Sequence, residues 1–193
     1  MSDSILLLKT LYDPTDFIFI GDRHDKGVMG DTIRAAKEWK VYFENGGATS
    51  PFIIINPLSG QEGTTKDGKP SYRSDNTIKT YRYCMVEFDN LSREDQIRFW
   101  SAVKLPIVAL IDSGGKSIHA WLDVQKLAKV ETPEQWATQI KSRLYDTILT
   151  PLGVDSACSN PARLSRLPGH FREEKNAWQR LLWLSPEGRP VKC

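Results

Sequence analysis

Cysteine is scarce in this chain: three in 193 residues, Cys84, Cys158 and Cys193, far apart and never in CxxC spacing. That argues against a disulfide framework and a four-ligand zinc site, and makes a reducing compartment the expectation. Histidine is as sparse. His24, His119 and His170 are too scattered to supply a His-hydrophobe-His metal pair. No apolar run approaches the roughly 18 residues of a membrane span. The longest, residues 105–111 and 52–55, are strand-sized. The N-terminus has one short apolar cluster (5–8) after an acidic lead-in, unlike the basic start of a signal peptide. An excess of one charge is missing too, since 26 Lys and Arg face 24 Asp and Glu for a net of +2. Neither a polybasic protein nor an acidic disordered tail fits that balance.

What is present suits one domain with a real core: 40% of the residues are hydrophobic and 26% charged. Charge is unevenly placed. Residues 160–193 carry seven basic and three acidic side chains, a net of +4, against 19 and 21 in residues 1–159, a net of −2. A second basic stretch, residues 66–82, sets five basic residues against two acids. Local basic surface suits a phosphate-bearing partner, although an ordinary solvated face has the same composition.

Periodicity and punctuation give the element order. Residues 16–20 read as a strand, and Asp31 is placed to cap a helix reaching Glu44 before Asn45-Gly46-Gly47 stops it. Residues 52–55 read as a buried strand between prolines. Residues 59–76 are polar and glycine-punctuated without periodicity, the pattern of a long mobile loop. A strand is expected over 78–88, then a helix from the Ser92-Arg-Glu-Asp95 capping box to about Val103. Residues 106–111 and 117–124 form a hairpin around Asp112-Ser-Gly-Gly-Lys116. Thr132-Pro133-Glu134-Gln135 starts a helix that presents Trp136, Ile140, Leu144 and Ile148 on one face and ends before Pro151. Residues 178–184 close the chain as a strand. The order implies an α+β fold with an antiparallel or mixed sheet in a single domain, with an N-terminal α/β unit over 1–76 and a second module over 77–193.

Three sets of residues carry chemistry. In Cys84-Met-Val-Glu87-Phe-Asp89, strand alternation sends Val86 and Phe88 into the core and puts Glu87 and Asp89 on one face, about 7 Å apart. Two carboxylates at a strand end suit hard divalent cations, and equally a polar face capped by Asp89. In Asp112-Ser-Gly-Gly-Lys116-Ser117-Ile-His119, a glycine turn lets backbone N–H groups approach phosphate. Lys116, Ser117 and His119 add a charge and donors. The spacing is not that of a Walker loop. In the third set, Asp155 follows an apolar residue, and Arg163 and Arg166 follow it as forked phosphate donors or as plain surface arginines.

Taken in order, the strand ExD, the SxH after a glycine hairpin, the hydrophobe-Asp and Arg163-Leu-Ser-Arg166-Leu-Pro-Gly169 resemble the archaeo-eukaryotic primase superfamily in its primase–polymerase branch. The resemblance covers about residues 78–169. It implies an RRM-like catalytic sheet beside a smaller N-terminal α/β unit, and template-directed nucleotidyl transfer from nucleoside triphosphates, the activity of a DNA primase or DNA polymerase. It also implies two Mg²⁺ or Mn²⁺ ions on Glu87, Asp89 and Asp155, and a triphosphate gripped by Lys116, Ser117 and His119 with Arg163 or Arg166 nearby. DNA template and primer are the implied partners, with a helicase or replication domain as a further one, and a cytoplasmic setting in a prokaryote, plasmid, phage or mobile element. Lys66, Lys69 and Arg73 in the 59–76 loop are the candidate template contacts. Glu87 stands where the family more often has Asp, which keeps two carboxylates. Two other readings remain: a rolling-circle nuclease, which would need a His-hydrophobe-His metal pair and a helix-borne nucleophilic tyrosine whereas Ser117-Ile-His119 has one histidine, and a non-catalytic nucleic-acid-binding module on the same fold.

Overall fold

The computed structural model describes residues 2–191 and is α+β throughout. It opens with a helix that the sequence reading passed over, α1 (Asp3–Leu11). The Ser2 side chain accepts the Ile5 N–H and caps it, and Ile5, Leu7, Leu8 and Leu11 make its buried stripe. Next come β1 (Phe17–Gly21), β2 (Ile33–Ala35), α2 (Ala36–Glu44) and β3 (Phe52–Ile54). Asp31 does not cap α2. Residues 33–35 instead pair antiparallel with β1, because Ile33 and Ala35 are buried there, so the helix starts at Ala36 with Glu38 accepting the Ala35 N–H.

The expected mobile loop is folded. It forms the hairpin β4 (Gly63–Thr64) and β5 (Pro70–Ser71), pinned by Asn76, whose side chain bonds Thr64 and Ser74. After β6 (Tyr83–Val86) come α3 (Arg93–Ala102), β7 (Ile107–Asp112), β8 (Ile118–Asp123), the short α4 (Val124–Leu127) and α5 (Pro133–Gln135). Ser92 caps α3 as expected, accepting the Asp95 N–H at 3.1 Å. Strand β6 is shorter than the 78–88 run; outside it, Ile78 and Phe88 make only single bridges, to Leu58 and Val154.

From α5 the chain continues as a π-helical stretch, Trp136–Leu149. Hydrogen bonds to the fifth residue back widen each turn beyond 3.6 residues. The buried residues are accordingly Trp136, Ile140, Tyr145 and Leu149, while Ile148 is exposed and Leu144 only half-buried. The expected α-helical face therefore holds for its first two members only. The wider frame lets the buried Tyr145 hydroxyl donate to the Met85 carbonyl.

Strands β9 (Leu164–Arg166), β10 (Phe171–Arg172), β11 (Ala177–Trp178) and β12 (Arg180–Leu184) complete the chain. One sheet runs β12-β7-β8-β6, all antiparallel, the RRM-like layer. The other runs β2-β1-β3-β9, so a strand from the second half of the chain finishes the N-terminal sheet. One core, from Leu7 and Trp39 through Trp121 to Tyr145, spans both. The seam between β9 and β8 is where the candidate site forms.

Candidate active site

The site begins at the end of β6. Val86 and Phe88 are buried as expected, and the strand stops between them, so Glu87 and Asp89 are not held on one pleated face. The Phe88–Val154 bridge and a 3.0 Å bond from the Asp155 N–H to the Glu87 carbonyl bring the third acidic segment alongside the first. Glu87 turns inward and Asp89 stays exposed.

The Glu87 carboxylate is the most constrained group in the site. Its Oε1 accepts the Ser117 hydroxyl at 2.6 Å and lies 3.3 Å from His119 Nε2. The Arg166 N–H donates to His119 Nδ1 at 3.2 Å, which leaves the Nε2 proton facing Glu87. Ser165 Oγ, 3.0 Å from Nδ1, also accepts from Trp121 Nε1 at 2.8 Å and so fixes the ring from β9. Burial would raise the Glu87 pKa. The hydrogen bond from His119, the Ser117 hydroxyl and the charge of Arg163 outweigh it and hold the group at about 2.

Ser117 keeps its place because buried Gln96 on α3 clamps the glycine hairpin. Its Oε1 accepts the Ile118 N–H, and its Nε2 donates to the carbonyls of Leu91 and Lys116. The Lys116 side chain stands exposed at the hairpin tip and does not line the cleft.

Opposite Glu87 are the arginines. A cleft of about 420 Å³ is lined by Glu87, His119, Arg163, Arg166, Arg23 and Phe52, among others. Arg163 reaches Asp155 at 3.5 Å, and its Nε is buried without a partner. Arg166 and Arg23 pack on the Phe52 ring, 4.2 and 5.7 Å from its centroid. Neither forms an ion pair among the described residues. Burial, then the nearby Arg172, lowers Arg166 to about 10, still cationic at neutral pH. Guanidinium donors left without carboxylates around a cleft suit an anion with several oxygens. The sequence reading missed Arg23 and Phe52, whose place depends on β1 and β3, and Ser165, which sat unmarked between the two arginines.

A second groove, about 610 Å³, shares Asn160, Ala162 and Leu164 with the cleft and is walled by the β4–β5 hairpin, including Lys66 and Arg73. Arg73 is committed structurally: it donates to the Arg23 carbonyl at 2.7 Å and covers the Phe19 ring at 4.7 Å. Lys66 and Lys69 are exposed on the hairpin.

The carboxylates offer oxygen donors only, the chemistry of a Mg²⁺ or Mn²⁺ site. Among the described residues, no three His, Cys, Asp or Glu side chains are gathered as they stand into an ion-binding cluster. Burial pushes the thiols of Cys84 and Cys158 up to about 12, so neither is a nucleophile at neutral pH. No helix among the described residues is long and apolar enough to cross a membrane.

No protein-family model and no curated protein matches the sequence. Among solved structures, the chain is similar to the AEP (archaeo-eukaryotic primase) domain of the primase–polymerase of cyanophage S-2L. The two are 18% identical, with a TM-score of 0.54 over 96% of this chain and 90% of that one. At that identity the likeness speaks for architecture, and the architecture is clear: this chain has the fold of an archaeo-eukaryotic primase domain.

Proposed function

We propose that the chain is a template-directed nucleotidyltransferase that extends a primer from nucleoside triphosphates. The observation that carries this reading is the Glu87 carboxylate, fixed by Ser117 and His119 and faced across one cleft by Arg163, Arg166 and Arg23. An ionised acid and three guanidinium groups in one cleft, two of them (Arg166 and Arg23) without ion-pair partners among the described residues, match the two charges of the reaction, metal-bound on one side and triphosphate on the other.

Arg166 and Arg23, stiffened against Phe52, bind and orient the triphosphate and offset the charge that grows on its leaving oxygens. Arg163, with its free Nε, is the third such donor. His119 and Ser117 hold Glu87 ionised and correctly turned. Glu87, Asp89 and Asp155 would hold the divalent cations, since their oxygens are the donors such ions prefer. Such ions would supply activation of the primer 3′-hydroxyl and neutralisation at the pyrophosphate. Lys66, in the groove that joins the cleft, and Lys69, exposed on the same hairpin, are the template contacts of this reading.

Primer extension with Mg²⁺ or Mn²⁺ and each class of nucleotide tests the proposal. Incorporation should appear with the parent chain and vanish in Asp89→Ala, whose exposed side chain leaves the core and the melting temperature untouched. Normal incorporation by a folded Asp89→Ala protein would refute the metal assignment. No incorporation by the parent chain under any condition would leave a nucleic-acid-binding module.

A further inference from the structure

The second functional surface lies on the far side of the glycine hairpin. Strands β10 and β11 form a small hairpin that turns through Glu173–Lys175 and the left-handed Asn176 (φ 49°). Its last residue, Trp178, is 50% exposed, whereas the other five tryptophans are buried or half-buried. The indole rests against Phe171, with 5.1 Å between ring centroids, and so is held in place while its remaining surface faces solvent. Around it lies a concavity of about 600 Å³, lined also by Arg93, Lys175, Arg180 and the hairpin glycines Gly114 and Gly115.

The charge of that surface is one-sided. Its only acid, Asp112, is buried and already bound to Arg93 at 2.6 Å. Glu174, on the neighbouring turn, is paired away to Arg172 at 2.8 Å. Lys175 and Arg180 remain exposed beside the indole without ion-pair partners among the described residues, and Glu173 of the same turn lines a different concavity, with Arg166 and His170. A rigid exposed aromatic ringed by cations matches a chain that carries flat rings and phosphates alternately.

The surface also touches the catalytic hairpin. Gly114 sits at φ +66°, and a Cβ there would come 3.2 Å from the Trp178 carbonyl; one at Gly115 would come 3.3 Å from Arg172 Nη1. The turn leading to Ser117, the partner of Glu87, is therefore packed against the backbone that presents Trp178. At Gly114 a side chain would also have to adopt a left-handed backbone, which glycine takes without strain.

We propose that the Trp178 face is a docking site for single-stranded nucleic acid, with one base stacked on the indole and phosphates on Lys175 and Arg180. The assignment concerns binding and does not rest on the catalytic reading. The test is fluorescence anisotropy of a labelled oligothymidylate, read beside intrinsic tryptophan quenching, metal-free and without nucleotide. Trp178→Ala should weaken binding about tenfold, or about 1.4 kcal/mol, and abolish most of the quenching. Trp178→Phe should restore most of the affinity, because stacking tolerates any flat ring. Lys175→Ala with Arg180→Ala should lower the slope of log affinity against log salt by about 1.4, at about 0.7 per contact. All should keep the parent melting temperature and nucleotide affinity.

Oligonucleotide binding by Trp178→Ala as tight as the parent's overturns the proposal. If sedimentation then shows the parent self-associating and the variant not, the face is a contact between copies. A loss in Trp178→Ala that Trp178→Phe does not restore, with a lowered melting temperature, also overturns it by making the ring structural. A catalytically dead Asp89→Ala chain should bind the oligonucleotide normally, so failure of the catalytic reading leaves this result standing.

Discussion

Glutamine in place of Glu87 isolates the electrostatics at the centre of the cleft. The carboxylate falls from an ordinary value of 4.5 to about 2 on folding, although burial alone would raise it. Its pKa is depressed, so the unfolded chain binds the proton more tightly across that window, and stability must rise with pH through it. At about 1.4 kcal/mol per unit, the ionised group contributes about 3 kcal/mol above pH 5. About 2 kcal/mol of that is gone by pH 3, and nearly all the rest by about pH 1, below the folded pKa. The side chain is only 16% exposed, which limits solvent screening. Urea denaturation of the parent and Glu87→Gln chains, metal-free and at half-unit steps from pH 6 to pH 3, reads the effect directly. Carboxylates distant from the cleft cancel between the two proteins, so the stability difference should shrink by about 2 kcal/mol from pH 5 to pH 3. Parallel curves would mean that Ser117 and His119 do not hold Glu87 ionised, and the geometric argument for the cleft would fail with them.

The β4–β5 hairpin offers two free lysines and one committed arginine. Lys66→Ala with Lys69→Ala should cut the salt slope of template binding by about 1.4 without changing the melting temperature. An unchanged slope would make the hairpin a spacer. The π-helical frame has its own signature in denaturation. Leu149→Ala, at 2% exposure, should cost about 2–5 kcal/mol, whereas Ile148→Ala, at 49%, should cost under about 1. The reverse order would restore the α-helical frame.

Wherever a signal is local, the chain could be read before it was seen folded. Ser92 capping α3, the paired glycines between β7 and β8, and the buried β-branched run of β3 all act within a few residues. The order of the acidic pair, the Ser-x-His and the lone Asp, legible along the chain although it spans residues 87–155, pointed to the fold that the structure has. The N-terminal helix shows the same kind of signal overlooked, for Ser2 and the Ile5, Leu8 and Leu11 spacing are local too. Other features turned on partners far away in sequence. Asp31 is a sound cap in isolation, yet β1 claims residues 33–35, and pairing that buries Ile33 outweighs one capping bond. The face of the Trp136–Leu149 stretch followed Tyr145 to the Met85 carbonyl, 60 residues away. The site itself was only half legible. Sequence supplied Glu87, Ser117, His119, Arg163 and Arg166 as residue types, but β9 had to cross to the N-terminal sheet to set Ser165 beside His119 and Arg166 on Phe52. Arg23 reached the cleft from the end of β1, beside Phe52 of β3, and Lys116 was left outside it. No periodicity encodes which strand closes a distant sheet edge, because that choice is made by burial summed over the whole core.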